Sequence, residues 1–251
     1  MLNQLSAEAL KYWSRCKKQF YYRHIARLQW PSDTQHFSLG RDVHKLLDYQ
    51  ARGLACNHLL ESASKPVRQT WEKLIQHESV SWQVLANEWA FHLPIQYKEQ
   101  TQWFTGRIDR VSRLPSGKIA VIDWKTGTGV PKNPDLDWQT RLYLYAVLET
   151  AGSPSARNLG FQGAHNVNSG NPLCAEDLVF IYVEAKATPQ IPVRLVTINY
   201  NTEKHMETRA ALEASVSLMA KEKKFPLPEN NQCPDRYCVY RTICGISPVA
   251  C

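Results

Sequence analysis

The sequence predicts an α/β fold in which a mixed β-sheet is flanked by helices. Three observations predict it: a helix-periodic N-terminal part, a short β-branched run after a Pro-Ser-Gly turn, and an overall order of helices, strands, a helix, then strands. At 251 residues the chain can bury a substantial core as one large domain.

In chain order, the first helix starts at Ser6, a good N-cap, with Glu8 in the first turn and Leu10, Trp13 and Phe20 roughly on one face. Trp30-Pro31-Ser32-Asp33 signals a turn, and Gly40-Arg41-Asp42-Val43-His44 opens a second helix with His44 in its first turns. Residues 66–78 suit a further helix, and 84–93 and 101–113 read as extended. Lys118-Ile119-Ala120-Val121-Ile122-Asp123-Trp124-Lys125 reads as a buried strand. A helix follows over 138–150, and a Gly-, Asn- and Ser-rich stretch over 152–176 is a long loop or insertion. Strands are expected over 178–184 and 193–200 and a helix over 203–224, while the Pro- and Cys-rich tail from Phe225 reads as irregular. No internal repeat or low-complexity tract is present.

The formal net charge of +7 points to an anionic partner, of which nucleic acid is the commonest; the alternative is a basic surface kept for solubility. Lys11, Arg15, Lys17, Lys18, Arg23 and Arg27 fall between residues 10 and 30 with no acid among them, so this stretch is a candidate phosphate-contacting face. Nothing approaches the apolar run of a membrane span, and Met1-Leu2-Asn3-Gln4 does not open a signal peptide, so a cytoplasmic protein is expected. Seven cysteines in a reducing compartment read as thiols or metal ligands rather than disulfides.

Chemistry concentrates on the central strand. Strand side chains alternate, so Asp123 and Lys125 project together while Trp124 points the other way. A surface ion pair is the plain alternative. Gly106-Arg107-Ile108-Asp109-Arg110 would form a hairpin with this strand across Pro115-Ser116-Gly117, bringing Asp109 close to Asp123. Two converging carboxylates call for a cation, and hard oxygen donors suit Mg²⁺ or Mn²⁺. Gln139 and Tyr143, at i and i+4, share one helix face just after the strand, and His44 and Glu88 add upstream ligands or proton carriers.

Together these segments resemble the PD-(D/E)XK nucleases, specifically the RecB-like branch that includes the AddB nuclease domain and the CRISPR-adaptation nucleases. The resemblance covers most of the chain: Ser6 to Tyr22 with Cys16, Leu39-Gly40 to His44, Glu88, Gly106 to Asp109, Asp123-Trp124-Lys125-Thr126-Gly127, and Gln139 to Tyr143. It implies a restriction-endonuclease-like fold and a single domain over 1–251, with a helical part (1–80), a nuclease core (81–224) and a cysteine-rich tail (225–251) joining Cys16. It further implies that His44, Asp109, Asp123 and the Trp124 carbonyl hold the catalytic metal and that Lys125 positions or activates the attacking water. Glu88 would assist the metal or its waters, and Gln139 and Tyr143 would hold substrate or Lys125. Lys17, Lys18, Arg23 and Arg41 are the expected nucleic-acid contacts.

Cys233, Cys238 and Cys244 form a C-x₄-C-x₅-C run, far in sequence from Cys16. In the relatives, one N-terminal and three C-terminal cysteines hold a 4Fe-4S cluster, so the resemblance implies such a cluster on these four. The family's first two C-terminal cysteines are usually two residues apart rather than four, which leaves iron–sulfur and zinc both open. Cys251 is a substitute ligand, and Cys56 and Cys174 read as incidental.

The expected function is metal-dependent hydrolysis of DNA, single-stranded DNA included, as an exonuclease or endonuclease in repair, recombination or foreign-DNA processing. Two other readings remain open: an accessory subunit of a helicase or integrase that binds nucleic acid without cutting, and a zinc-stabilised RNA-binding protein. No Gly-x₄-Gly-Lys-Ser/Thr loop or Gly-x-Ser-x-Gly elbow is present, which excludes an ATPase motor and a serine-type hydrolase of those classes.

Overall fold

The computed structural model describes residues 4–29, 38–97, 100–127, 129–151, 173–227, 233 and 238–246. The expected turn at Trp30 to Asp33 and most of the expected loop over 152–176 lie outside these residues, as does Cys251. The chain divides into two compact units, one of Met1–Ser32, His92–Gly106 and Arg209–Cys251, the other of Asp33–Phe91 and Arg107–Thr208.

The first unit begins with strand β1 (Gln4–Leu5), which pairs in parallel with Trp103 and Phe104. Ser6 caps helix α1 (Ala7–Arg15), its side chain accepting from the Ala9 N–H at 3.2 Å, as its residue type predicts. The helix then stops where sequence periodicity runs on. Cys16 adopts an extended backbone (φ −158°, ψ 105°) and its sulfur accepts from the Gln19 N–H at 3.4 Å, capping a new helix, α2 (Lys17–Phe20). A π-helical turn over Tyr21–Ile25 follows. The expectation of one helix from Ser6 through Phe20 is therefore corrected: the 3.6-residue period survives a break that a thiol re-caps.

In the second unit, helices α3 (Ser38–Ala51), α4 (Asn57–Ser62), α5 (Lys65–Ile75) and α6 (Glu78–Ser81) come first. Strand β2 (Gln83–Tyr97) and strand β3 (Gln100–Arg113) have residues in both units. Strand β4 (Ile119–Lys125), helix α7 (Trp138–Ala151), strand β5 (Leu178–Glu184) and strand β6 (Arg194–Asn199) complete this unit's main elements. The last helix, α8 (Thr202–Lys221), ends three residues before the expected 224.

The sheet is mixed and six-stranded, in the order β1-β3-β4-β5-β6 with β2 also paired to β3. β3 and β4 run antiparallel in the register Arg110 with Ile122 and Val111 with Val121. β4 and β5 run parallel, joined through α7, and both are buried over six of their seven residues, as strands covered on two faces must be. On one face Ala120, Ile122 and Trp124 of β4 pack with Val179, Ile181 and Val183 of β5 against Val43, Leu46 and Leu47 of α3 and Val67, Trp71 and Leu74 of α5. Each such fully buried side chain contributes roughly 1.5–3 kcal/mol. The other face carries Phe180 and Tyr182 toward α7, where the Thr140 and Tyr182 hydroxyls hydrogen-bond at 2.7 Å. Among the described residues no helix is long and apolar enough to cross a membrane.

Candidate active site

All residues of this site lie in the second unit. β4 ends on Asp123-Trp124-Lys125, and alternation turns Trp124 into the apolar cluster beneath α3 while Asp123 and Lys125 project from the opposite face. The Lys125 Nζ lies 2.7 Å from Asp123 Oδ2 and donates to Gln139 Oε1 at 3.3 Å. Gln139 donates through Nε2 to Asp123 Oδ1, closing a triangle of acid, base and amide. Gln139 is fixed by the start of α7, where Asp137 Oδ1 accepts from its N–H at 2.8 Å. One turn on, the Tyr143 hydroxyl meets the Gln139 side chain and the Arg107 backbone. Burial and the Asp109 and Asp123 carboxylates push this phenol well above its ordinary range.

A second group gathers beside the first. One step beyond Arg110 and Ile122 in the β3–β4 register, Asp109 comes opposite Asp123, and Asp109 Oδ2 accepts from the Trp124 N–H at 3.0 Å. His44 Nε2 hydrogen-bonds the Trp124 carbonyl at 3.0 Å, and its Nδ1 is 3.5 Å from Asp109 Oδ1. α3 comes this close because Gly40 has no side chain: a Cβ there would sit 3.3 Å from Thr126 Oγ1, in the turn after β4. Burial alone would lower the His44 pKa, but hydrogen bonding and charge from Asp109, the Trp124 carbonyl and Asp123 outweigh it and push it up to about 9.

Glu88 joins from β2 with a left-handed backbone (φ 48°), a conformation that costs a non-glycine residue about 1–3 kcal/mol. Its carboxylate pairs with Arg107 Nε at 3.0 Å. Burial and the Asp109 charge raise its pKa, partly offset by Arg107 and His44. His44, Glu88 and Asp109 each offer a ligand atom within 4.8 Å of the others.

The two carboxylates of this donor set suit a hard divalent cation, and the one imidazole beside them is a donor that first-row transition ions accept. Asp123 supports the fit. It is 4% exposed, burial and the Asp109 charge raise its pKa, and the Lys125 ammonium, 2.7 Å from its Oδ2, offsets only part of this. A buried carboxylate facing a second one, Asp109, across the strand pair is one that a cation would stabilise further. A cleft of about 600 Å³ opens onto the site, with Arg41 and Lys45 of α3, Arg52 just after that helix and Arg107 of β3 among its walls.

The expected site residues thus form two adjoining sets: His44, Glu88 and Asp109, and Asp123, Lys125, Gln139 and Tyr143. Trp124 links them through both of its backbone groups. Sequence reasoning passed over three residues. Asp137, an acid just before the helix, carried a readable capping signal. Arg107 sat inside a quoted motif without a role. Arg110 carried no signal: it is fully buried, with bonds to Leu47 O at 2.9 Å, Asn87 Oδ1 at 3.3 Å and Gln50 Oε1 at 3.4 Å.

Of the expected nucleic-acid contacts, Arg41 stands at the cleft with its side chain 71% exposed. Lys17, Lys18 and Arg23 belong to the first unit. Lys17 pairs with Glu222 and lies over the Trp13 ring at 5.0 Å, Arg23 pairs with Glu8 at 3.0 Å, and Lys18 sits over the Tyr21 and Tyr22 rings at 5.5 and 5.3 Å. The stretch that is free of acids in sequence is met by acids from outside it. In the same unit Cys16, Cys233, Cys238 and Cys244 are all outside disulfides, with Cys16 and Cys238 buried. Burial, then the neighbouring Cys16 and Cys233 sulfurs, raise the Cys244 thiol pKa.

A sequence model of the PD-(D/E)XK nuclease superfamily matches residues 4–245. The crystal structure of SSO0001 is 15% identical, with 97% of this chain and 86% of that one covered at a TM-score of 0.43. A protein from Eubacterium rectale, given the provisional name of an exonuclease, is 12% identical, with 87% and 80% covered at a TM-score of 0.48. No protein with a curated description matches the chain.

Proposed function

Because the chain belongs to the PD-(D/E)XK nuclease superfamily, we propose that it hydrolyses DNA phosphodiesters with Mg²⁺ or Mn²⁺ at the carboxyl end of β4. One observation carries the reading: a group of three metal donors adjoins the Asp123–Lys125–Gln139 triangle, with Asp109 and Asp123 facing each other across β3 and β4. A structural ion pair alone would not bring three further ligand atoms to its side.

His44, Glu88 and Asp109 would hold the cation, with Asp123 and the Trp124 carbonyl completing its shell. When bound, the ion supplies Lewis acidity to the phosphoryl group and a more acidic water. Lys125, held by Asp123 and Gln139, places a fixed positive charge where negative charge builds on the scissile phosphate. Tyr143 steadies Gln139 and, through it, the lysine. Arg41 and Lys45, on the cleft wall, bind flanking phosphates.

In the first unit, Cys16, Cys233, Cys238 and Cys244 hold a 4Fe-4S cluster of the RecB-like kind, with a stabilising rather than a cutting role. The burial of Cys16 and Cys238, and the Cys16 and Cys233 sulfurs acting on Cys244, support the grouping.

The experiment is cleavage of labelled single- and double-stranded DNA by purified protein with each metal. Metal-dependent cutting that disappears in Asp123→Ala and Lys125→Ala is the expected result. Cutting that survives both changes, or binding without turnover under every metal condition, overturns the reading. The visible spectrum of anaerobically purified protein tests the cluster.

A further inference from the structure

Arg107 is oddly employed for a residue at the mouth of a site. Its side chain is 70% exposed, yet it is committed to Glu88, whose side chain is only 22% exposed and which also belongs to the metal-donor group. Exposed ion pairs contribute little to stability, so the fold does not account for this contact. The partner, moreover, is held in a left-handed backbone, a strained conformation that persists only where the surroundings over-determine it.

Position sharpens the point. Arg107 and Asp109 are two apart on β3, so both project from one face. The Tyr143 hydroxyl fixes the Arg107 backbone, while the Arg107 side chain lines the same cleft as Arg41 and Lys45. A planar guanidinium matches phosphate geometry with paired hydrogen bonds better than an ammonium does. His44, Glu88 and Asp109 would hold a divalent cation, and the Glu88 carboxylate, once shared with that charge, would no longer retain the Arg107 guanidinium. The guanidinium is then freed at the place where a strand must pass.

We infer that Arg107 is a hand-over residue: it occupies Glu88 in the metal-free protein and passes to a substrate phosphate when a divalent cation claims that carboxylate. The inference rests on the metal-dependent reading above and deepens it, because it makes metal and strand binding mutually reinforcing. By linkage, each must then strengthen the other by the same factor.

The test uses the full chain carrying Lys125→Ala to suppress turnover, with and without Arg107→Ala or Arg107→Lys. Calorimetric titration with Mn²⁺ alone reads the first half of the exchange. Removing the competing cation should tighten Mn²⁺ binding by about two- to fivefold, the affinity equivalent of an exposed ion pair. Fluorescence anisotropy of a labelled single-stranded oligonucleotide reads the second half. Mn²⁺ should strengthen strand binding in the Lys125→Ala protein and fail to do so once Arg107→Ala is added. The salt slope measured in Mn²⁺ should fall by about one unit, the loss of one phosphate contact. Arg107→Lys should restore the weaker Mn²⁺ binding of the parent and only part of the strand binding. Mn²⁺ affinity that is unchanged or lower in Arg107→Ala overturns the hand-over. So does strand binding lost equally with and without Mn²⁺. Cleavage persisting in Lys125→Ala counts instead against the catalytic reading.

Discussion

At the scale of single residues, Asp123 has two partners of opposite character: an ammonium at one oxygen and an amide at the other. Gln139 is therefore a positioning residue for Lys125. Gln139→Ala should lower the cleavage rate about 10–100-fold, as the loss of an orienting partner does at metal sites, with little change in melting temperature. A comparable rate in the variant would remove Gln139 from the machinery. His44 carries a pH signature. Its folded pKa of about 9 exceeds the ordinary 6.5, so its pairing with Asp109 stabilises the metal-free protein fully below 6.5 and is lost as pH rises through about 9. Calorimetric melting across that window should fall more steeply for the wild type than for His44→Gln, and parallel slopes would refute the pairing. Most of this chemistry was legible in sequence, because Asp123, Lys125 and Gln139 sit near one another along the chain. The Glu88 contact with Arg107 was not, since a left-handed residue inside a strand leaves no trace in periodicity.

Among elements, β4 was the most readable, because a β-branched run buried on both faces has no other reading at that length. α7 was equally plain. β1, two residues long, offered too few positions for any period, and the break at Cys16 was hidden because the apolar spacing continues across it. Arg110 was illegible for a different reason: arginine is almost never fully buried, and what keeps it buried are acceptors from α3 and β2. It also lies over the Trp124 ring at 5.3 Å. Arg110→Met should leave the Asn87 and Gln50 side chains without this partner and lower the free energy of urea unfolding by about 1–3 kcal/mol. Because Asn87 adjoins Glu88, Mn²⁺ affinity should drop as well. A variant with unaltered urea midpoint and Mn²⁺ binding would show that the buried guanidinium supports neither.

For the whole molecule, the net charge of +7 points to an anionic partner and leaves open which basic face would meet it. Glu222 lies 205 residues from Lys17, so no local reading of the basic stretch could foresee the pairing that occupies it. Replacing Lys17 and Arg23 by Ala should therefore weaken DNA binding less than replacing Arg41 and Lys45, measured by anisotropy at fixed salt. The reverse ranking would restore the basic stretch as the docking face. The four cysteines make a separable prediction: Cys16→Ser should abolish the broad visible absorption and lower the melting temperature. Mn²⁺ binding at His44, measured below that transition, should be unaffected. Finally, β4 meets β3 across a short turn but meets β5 only after α7 has been laid down, with Ile119 beside Leu178. Loop closure makes the second pairing the slow one. During refolding, then, Asp109 and Asp123 should meet early as a bare pair of charges, and His44, 80 residues from the Trp124 carbonyl it bonds, should arrive late. A refolding chain would regain Mn²⁺ binding only after the β3–β4 pairing has formed, a lag that stopped-flow mixing can time.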